Sequence, residues 1–246
     1  MALWSDAKSG VSNRVKTNLT MRGRSQMKPI RMLAATGMLG YGYAEESIER
    51  ALEMELDLIA ADAGSMDPGP YYLGAGQAFV SRPAAKRDLA LMMVGGAKKG
   101  VPVFIGSAGG GGGDPHVDWL MEIVREIAAE NGLHPKVAVI RSEQSKDSLK
   151  AKVKAGKIAP LGPIAELTEE EIDNSHRVVA MMGPEPFQKA LEDGADIVIA
   201  GRASDAAIYA AIPLMRGADP GLAWHLGKII ECGAQVAAPR LGGAGV

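Results

Sequence analysis

The stretch Val101–Leu120, VPVFIGSAGGGGGDPHVDWL, decides how the chain is read. A short apolar run leads into five consecutive glycines at 109–113, and Asp114-Pro115-His116 then opens the helical pattern VDWLMEIVREIAAE. Glycine loses more backbone freedom on folding than any other residue, so such a run either stays slack or exists because something approaches the backbone closely. With a strand immediately before it, a helix immediately after it and no polar spacer, the run reads as a strand-to-helix turn and not as a linker.

Working outward, the same strand, turn and helix rhythm repeats. Strands are predicted over Ile30–Ala35, Asp57–Ala61, Val101–Ile105, Lys136–Arg141, Arg177–Met181 and Asp196–Ala200. Helices are predicted near Glu45–Glu55, Pro83–Lys99, Pro115–Glu130, Lys146–Ala155, Pro184–Asp193, Ser204–Arg216 and Leu222–Gly233. Thr168 and Glu171 have capping-box spacing, Gly156 and Gly194 stand where helices should stop, and Pro83, Pro115 and Pro184 suit first-turn positions. Strand alternating with helix implies an α/β fold, a mostly parallel sheet with helices on both faces, doubly wound and Rossmann-like. An incomplete βα-barrel is the alternative, and either way the strand-to-helix turns meet on one edge, where ligands collect.

Composition narrows the function classes. Across 246 residues, 47% are hydrophobic and 23% charged, which is ordinary globular usage, and the formal net charge of −2 comes without a basic block that would suit nucleic acid. No apolar run of about 18 residues suggests a membrane span, and the expected setting is cytoplasmic. Cys232 is the only cysteine, so no intrachain disulfide can form, and the four scattered histidines show no zinc-ligand spacing. Residues 1–26 are polar, basic and aperiodic; they read as a flexible extension, a transit peptide or upstream residues, ahead of a single α/β domain over 27–246.

The candidate site residues lie in the turns. The amides of Gly109, Gly110 and Gly111 with the following helix start would suit an anion, as would Ser107 in the same turn and Gly37 in the first. Asp114 and His116 supply a carboxylate and an imidazole for proton transfer, or alternatively a helix cap and a first-turn residue. Asp62 ends a strand in DAGSMDPGPYYLGAG; it could bind a hydroxyl, take a proton or help hold a divalent ion, while Asp67 before Pro68-Gly69 also makes a good turn. Arg202 offers a planar donor fork for a carboxylate or phosphate, with Asp205 as a structural partner or helix cap. Cys232 reads as a small core residue.

These motifs resemble one family. GADIVIAGRASDAAI at 194–208 and ECGAQ at 231–235 resemble the acyclic terpene utilisation AtuA-like family, as do KPIRMLAATGMLGYG and the DAGSMDPGPYYLG turn. Many members carry Asn where this chain has Ser107, and the family is usually longer, so the chain looks like its N-terminal portion. The resemblance implies catabolism of branched acyclic terpenoids through carboxylate or acyl-CoA intermediates. The expectation is an enzyme or catalytic subunit of lyase, hydratase or isomerase type, acting on a small carboxylate or its CoA thioester, in a homo-oligomeric or partner assembly. A non-catalytic binding or scaffolding subunit is the competing expectation.

Overall fold

A computed structural model describes residues 28–64 and 68–236. Five strands, β1 (Met32–Ala34), β2 (Leu58–Asp62), β3 (Val103–Gly106), β4 (Val137–Ile140) and β5 (Ile197–Ala200), form one parallel sheet in the order β1-β2-β3-β5-β4. Alternation along each strand divides the core. Leu33, Ile59, Ile105 and Ile199 face one side, while Ala34, Ala60, Phe104 and Val198 face the other. Helices cover both faces, as the strand and helix rhythm required. Each fully buried Leu, Ile or Phe among them contributes about 1.5–3 kcal/mol through burial.

The first face carries α1 (Glu45–Leu52), α3 (Arg82–Lys99) and α4 (Asp114–Asn131); the second carries α7 (Glu185–Glu192) and α8 (Ala207–Met215). This division follows from chain direction. Right-handed crossovers place the helices on one side while the strands step from β1 through β3 to β4, and on the other side when the chain returns to insert β5. Local chemistry sets the ends: Ser81 Oγ accepts from Ala84 N at the start of α3, and Gly100 and Gly132, at φ 64° and 61°, end α3 and α4. The predicted Thr168–Glu171 capping box is present and opens α6 (Glu169–Asn174). Also present are α2 (Tyr71–Ala75), α5 (Lys146–Lys154) and α9 (Pro220–Ile230), the last capped by Asp219.

One predicted strand is corrected. Arg177–Met181 does not join the sheet, because β5 occupies the place beside β4; the segment makes only single bridges, Val179 antiparallel to Glu143 and Met182 parallel to Ala203. Its Val178-Val179 pair carries the strand signal, but the segment crosses the carboxyl ends of the strands, half-exposed. The expected caps at α4 and α8 also differ: Gly113 and Ala206 hold those positions, without side-chain hydrogen bonds. Residues 1–26, Asp67 and the end of the chain from 237 lie outside the described residues. No helix among the described residues is long and apolar enough to cross a membrane.

The first strand-to-helix turn shows how the carboxyl edge is held. Asp88, fully buried on α3, accepts hydrogen bonds from Gly40 N and Gly42 N at 2.9 Å each and from Arg87 Nη1 at 2.9 Å. Gly40 and Gly42 sit at φ 99° and 83°, a conformation that side chains resist. Replacing Asp88 with Ala strands both amides and is expected to cost about 2 kcal/mol, read as a fall in denaturation midpoint with unchanged m-value. A midpoint within error of the parent would show that the turn holds without this carboxylate.

Candidate functional site

Where the crossovers reverse, the turn after β3 leaves toward one face and the turn after β5 toward the other. Between them lies the crevice in which open α/β sheets bind ligands. Here the two turns are stitched together. Ser107 N donates to Gly201 O at 3.0 Å and Ala108 N to Ala200 O at 2.9 Å. Ser107 Oγ lies 3.2 Å from both the N and the O of Ala203. Ser107 sits at φ 50°, unusual for a residue with a side chain, and its hydroxyl offsets that strain by closing the junction.

The pentaglycine is built into this junction. All five glycines are buried. A Cβ on Gly112 would fall 2.3 Å from Arg202 N, one on Gly111 3.0 Å from Leu73 Cα, and one on Gly109 2.9 Å from His116 Cβ. The close approach that the sequence demands is therefore to the chain's own backbone and to the His116 side chain. Ser142, from the end of β4, adds a third turn: its Oγ donates to Gly112 O at 2.8 Å and accepts from Arg202 N at 2.7 Å. The loop amides of Gly110 and Gly112 are engaged internally, on Ser107 O and Ala108 O.

The structure separates the predicted residues into two groups. Asp62, Ser107, Gly110, Arg202 and Asp205 converge. A Cβ on Gly64, next but one to Asp62, would meet Ser107, Arg202 Nη1 and Gly110 O, all within 3 Å. Arg202 Nη1 reaches Gly110 O and Nη2 reaches Asp205 Oδ1, each at 3.4 Å, with the Arg202 side chain 11% exposed. Gly37 borders this group from the first turn, packed against the backbone of Cys232. Asp114 and His116 face elsewhere. His116 is buried beneath the glycine loop, and its Nε2 donates to Tyr72 O and Gln77 O at 3.0 Å each. Those two carbonyls assign the tautomer, leaving buried Nδ1 as an unpartnered acceptor. Burial holds the imidazole neutral by lowering its pKa, against the pull of the two carbonyls.

The start of α4 already has an anion. Glu143 Oε2 accepts from Asp114 N at 2.8 Å while Oε1 meets Arg177 Nη1 at 3.1 Å, so the chain itself fills the cradle expected for an outside ligand. Asp114 turns its carboxylate toward Arg141 Nη1, 3.4 Å away.

Electrostatics single out Asp62. Its side chain is 2% exposed at the carboxyl end of β2; Oδ2 accepts from Gly64 N at 2.9 Å and Oδ1 has no partner. Burial, reinforced by the nearby Asp205 carboxylate, raises its pKa to about 8, so the group is largely protonated at neutral pH. Asp205 is itself raised by burial, with Arg202 pulling it down and Glu231 pushing it up. Glu231, buried and paired with Lys228, thus extends the carboxyl cluster. Cys232, expected in the core, is exposed instead, between buried Glu231 and Gly233; partial desolvation and the neighbouring Glu231 push its thiol up, away from thiolate chemistry. Glu231, Ser142 and Glu143 were not among the sequence candidates; only Glu231 carried a signal, as the first residue of the ECGAQ motif. No group of three or more His, Cys, Asp or Glu among the described residues is placed to hold a metal ion.

The family comparison takes in the turns after β3, β4 and β5 but not those after β1 and β2. Residues 83–244 match the family described as acyclic terpene utilisation family protein AtuA, a span that takes in the glycine loop, Arg202 and the Glu231-Cys232-Gly233 turn. The chain belongs to the AtuA family. Neither the curated proteins nor the solved structures contain a match. Within this AtuA-family chain, Gly233 shows why the second motif needs its glycine: at φ 58°, a Cβ there would lie 2.9 Å from Gly37 N and from Thr36 C, so the motif seals the first turn. A cleft of about 440 Å³ between Met93, Leu133, His134, Pro135 and Leu191 opens at the opposite, amino edge of the strands, away from these groups.

Proposed function

We propose that the chain is a catabolic enzyme, or the catalytic subunit of one, acting on a small carboxylate or acyl-CoA thioester by proton-transfer chemistry of lyase, hydratase or isomerase type. Family membership connects the chain with acyclic terpene utilisation. The observation that carries the reading is Asp62, a buried carboxyl with one unpartnered oxygen, poised between its two protonation states near neutral pH and set beside the switch point. Arg202, held only by two long contacts, is the cation that would meet the substrate's carboxylate or the oxygen of its thioester. His116, engaged through Nε2, positions the glycine loop beneath the site.

A thermal-shift screen of small carboxylates and acyl-CoA thioesters, repeated with Arg202→Ala, tests the binding half. One ligand class should raise the melting temperature of the parent and leave the variant unmoved, because a ligand that binds only the folded state stabilises it. A shift that survives in Arg202→Ala would remove that residue from the site. A shift without turnover, alike in the parent and in Asp62→Asn, would favour a binding or scaffolding subunit.

A further inference from the structure

The connection between α5 and α6 and the outer side of β1 carry apolar surface that the described residues do not cover. In KIAPLGPIAEL, residues 157–167, Leu161 is 96% exposed and Ile164 68% exposed. Pro160 and Pro163 stiffen this arm, so little conformational entropy remains to be lost when it is seated. At the other end of the sheet, Ile30, Met32, Met54, Leu56, Leu226 and Ile230 line an apolar groove of about 390 Å³. It is bordered by β1, which pairs only with β2 among the described residues, and by α9, which also exposes Leu222 and Ile229.

In its own chain the arm lies at the far side of the sheet from this groove. The arm follows β4 and the groove flanks β1, and these are the two outer strands of the sheet, roughly 19 Å apart at four strand spacings. Charge favours their meeting between chains. Lys28, Asp57 and Glu169 are already paired, which leaves the Arg31 guanidinium at the groove, and Glu166 and Glu170 against a single cation, Lys157, at the arm, without ion partners among the described residues. Apolar side chains flanked by carboxylates thus stand opposite an apolar groove flanked by a cation, a self-complementary pair on one polypeptide.

We infer that the 158–167 arm of one copy seats Leu161 and Ile164 in the β1–α9 groove of a second copy, making the protein a self-associating assembly through a contact remote from the carboxyl-edge site. Sedimentation velocity on the full chain over the micromolar range tests this. The parent should associate in a concentration-dependent manner. Leu161→Asp combined with Ile164→Asp, and separately Leu226→Asp, should each weaken association by about tenfold or more while keeping the parent's melting temperature, since both changes fall on exposed positions. Mixing the arm variant with the groove variant should restore a heterodimer, because one intact arm then meets one intact groove. A parent that stays monomeric, association indifferent to the arm changes, or a mixture that fails to pair would each overturn the inference.

Discussion

Gly112→Ala is expected to destabilise the fold by about 3–5 kcal/mol, the sum of a backbone clash that forces the turn apart and the strain of a side chain at positive φ. Gly112 sits at φ 72°, and the added methyl would lie 2.3 Å from Arg202 N and 2.7 Å from Arg202 Cα, neither of which can rotate away. For a chain of this size the loss should lower the melting temperature by roughly 10 °C or more. Gly132→Ala supplies the control: its φ is 61°, but the methyl would meet open space, so only the conformational cost of about 1 kcal/mol applies. Equal losses in the two variants would show that the junction between the β3 and β5 turns is loose, and that packing does not explain the glycine run.

Asp62→Asn is expected to act in the opposite sense on stability. The folded-state pKa, about 8, lies far above the usual carboxyl value of about 3.9, so the folded chain holds a proton that the unfolded chain releases. Stability linked to this group is full below about pH 4, falls by about 1.4 kcal/mol per unit as pH rises, and levels off above about pH 8. At pH 7 the penalty is about 4 kcal/mol, and the uncharged amide avoids it. The variant should therefore melt roughly 10 °C higher than the parent near neutrality, match it near pH 4, and show a flat profile between. If Asp62 moves the proton, the same variant should lose turnover by about a hundredfold or more. A gain in stability with a loss of activity distinguishes a working group from a structural one. A parent profile that is flat from pH 5 to 8 would mean the carboxyl is charged and satisfied, and the mechanism would lose its proton carrier.

The sequence made the strand-turn-helix units legible because their signals are local: apolar runs, first-turn prolines, glycines at helix ends and the Thr168–Glu171 box all act within a few residues. The convergence of Asp62, Arg202 and Asp205 was legible too, since parallel strands deliver their turns to one edge. What remained hidden depends on distant partners. Ser142 links Gly112 to Arg202 across 30 and 60 positions, Glu143 meets the start of α4 from 29 positions away, and Asp88 reaches back 48 and 46 positions to Gly40 and Gly42. No spacing rule marks such residues. His116 illustrates the same limit, because its short distance from the glycines implied a place at the mouth of the loop, whereas the carbonyls of Tyr72 and Gln77 draw the ring beneath it. Val178 and Val179 misled in the other direction, since strand propensity says nothing about which slot in the sheet is already filled.

The insertion of β5 between β3 and β4 carries a consequence for biosynthesis. As the ribosome delivers the chain, β1, β2 and β3 can pair in order, but β4 emerges with no neighbour to hold it until β5 follows almost sixty residues later. In that interval β3 and β4 present unpaired edges, the kind of surface on which nascent chains join one another. Arg202 arrives just behind β5 and Glu231 later still, so the strand that closes the gap also brings in the cation of the crevice, and no nascent chain can display the assembled site before its sheet is whole.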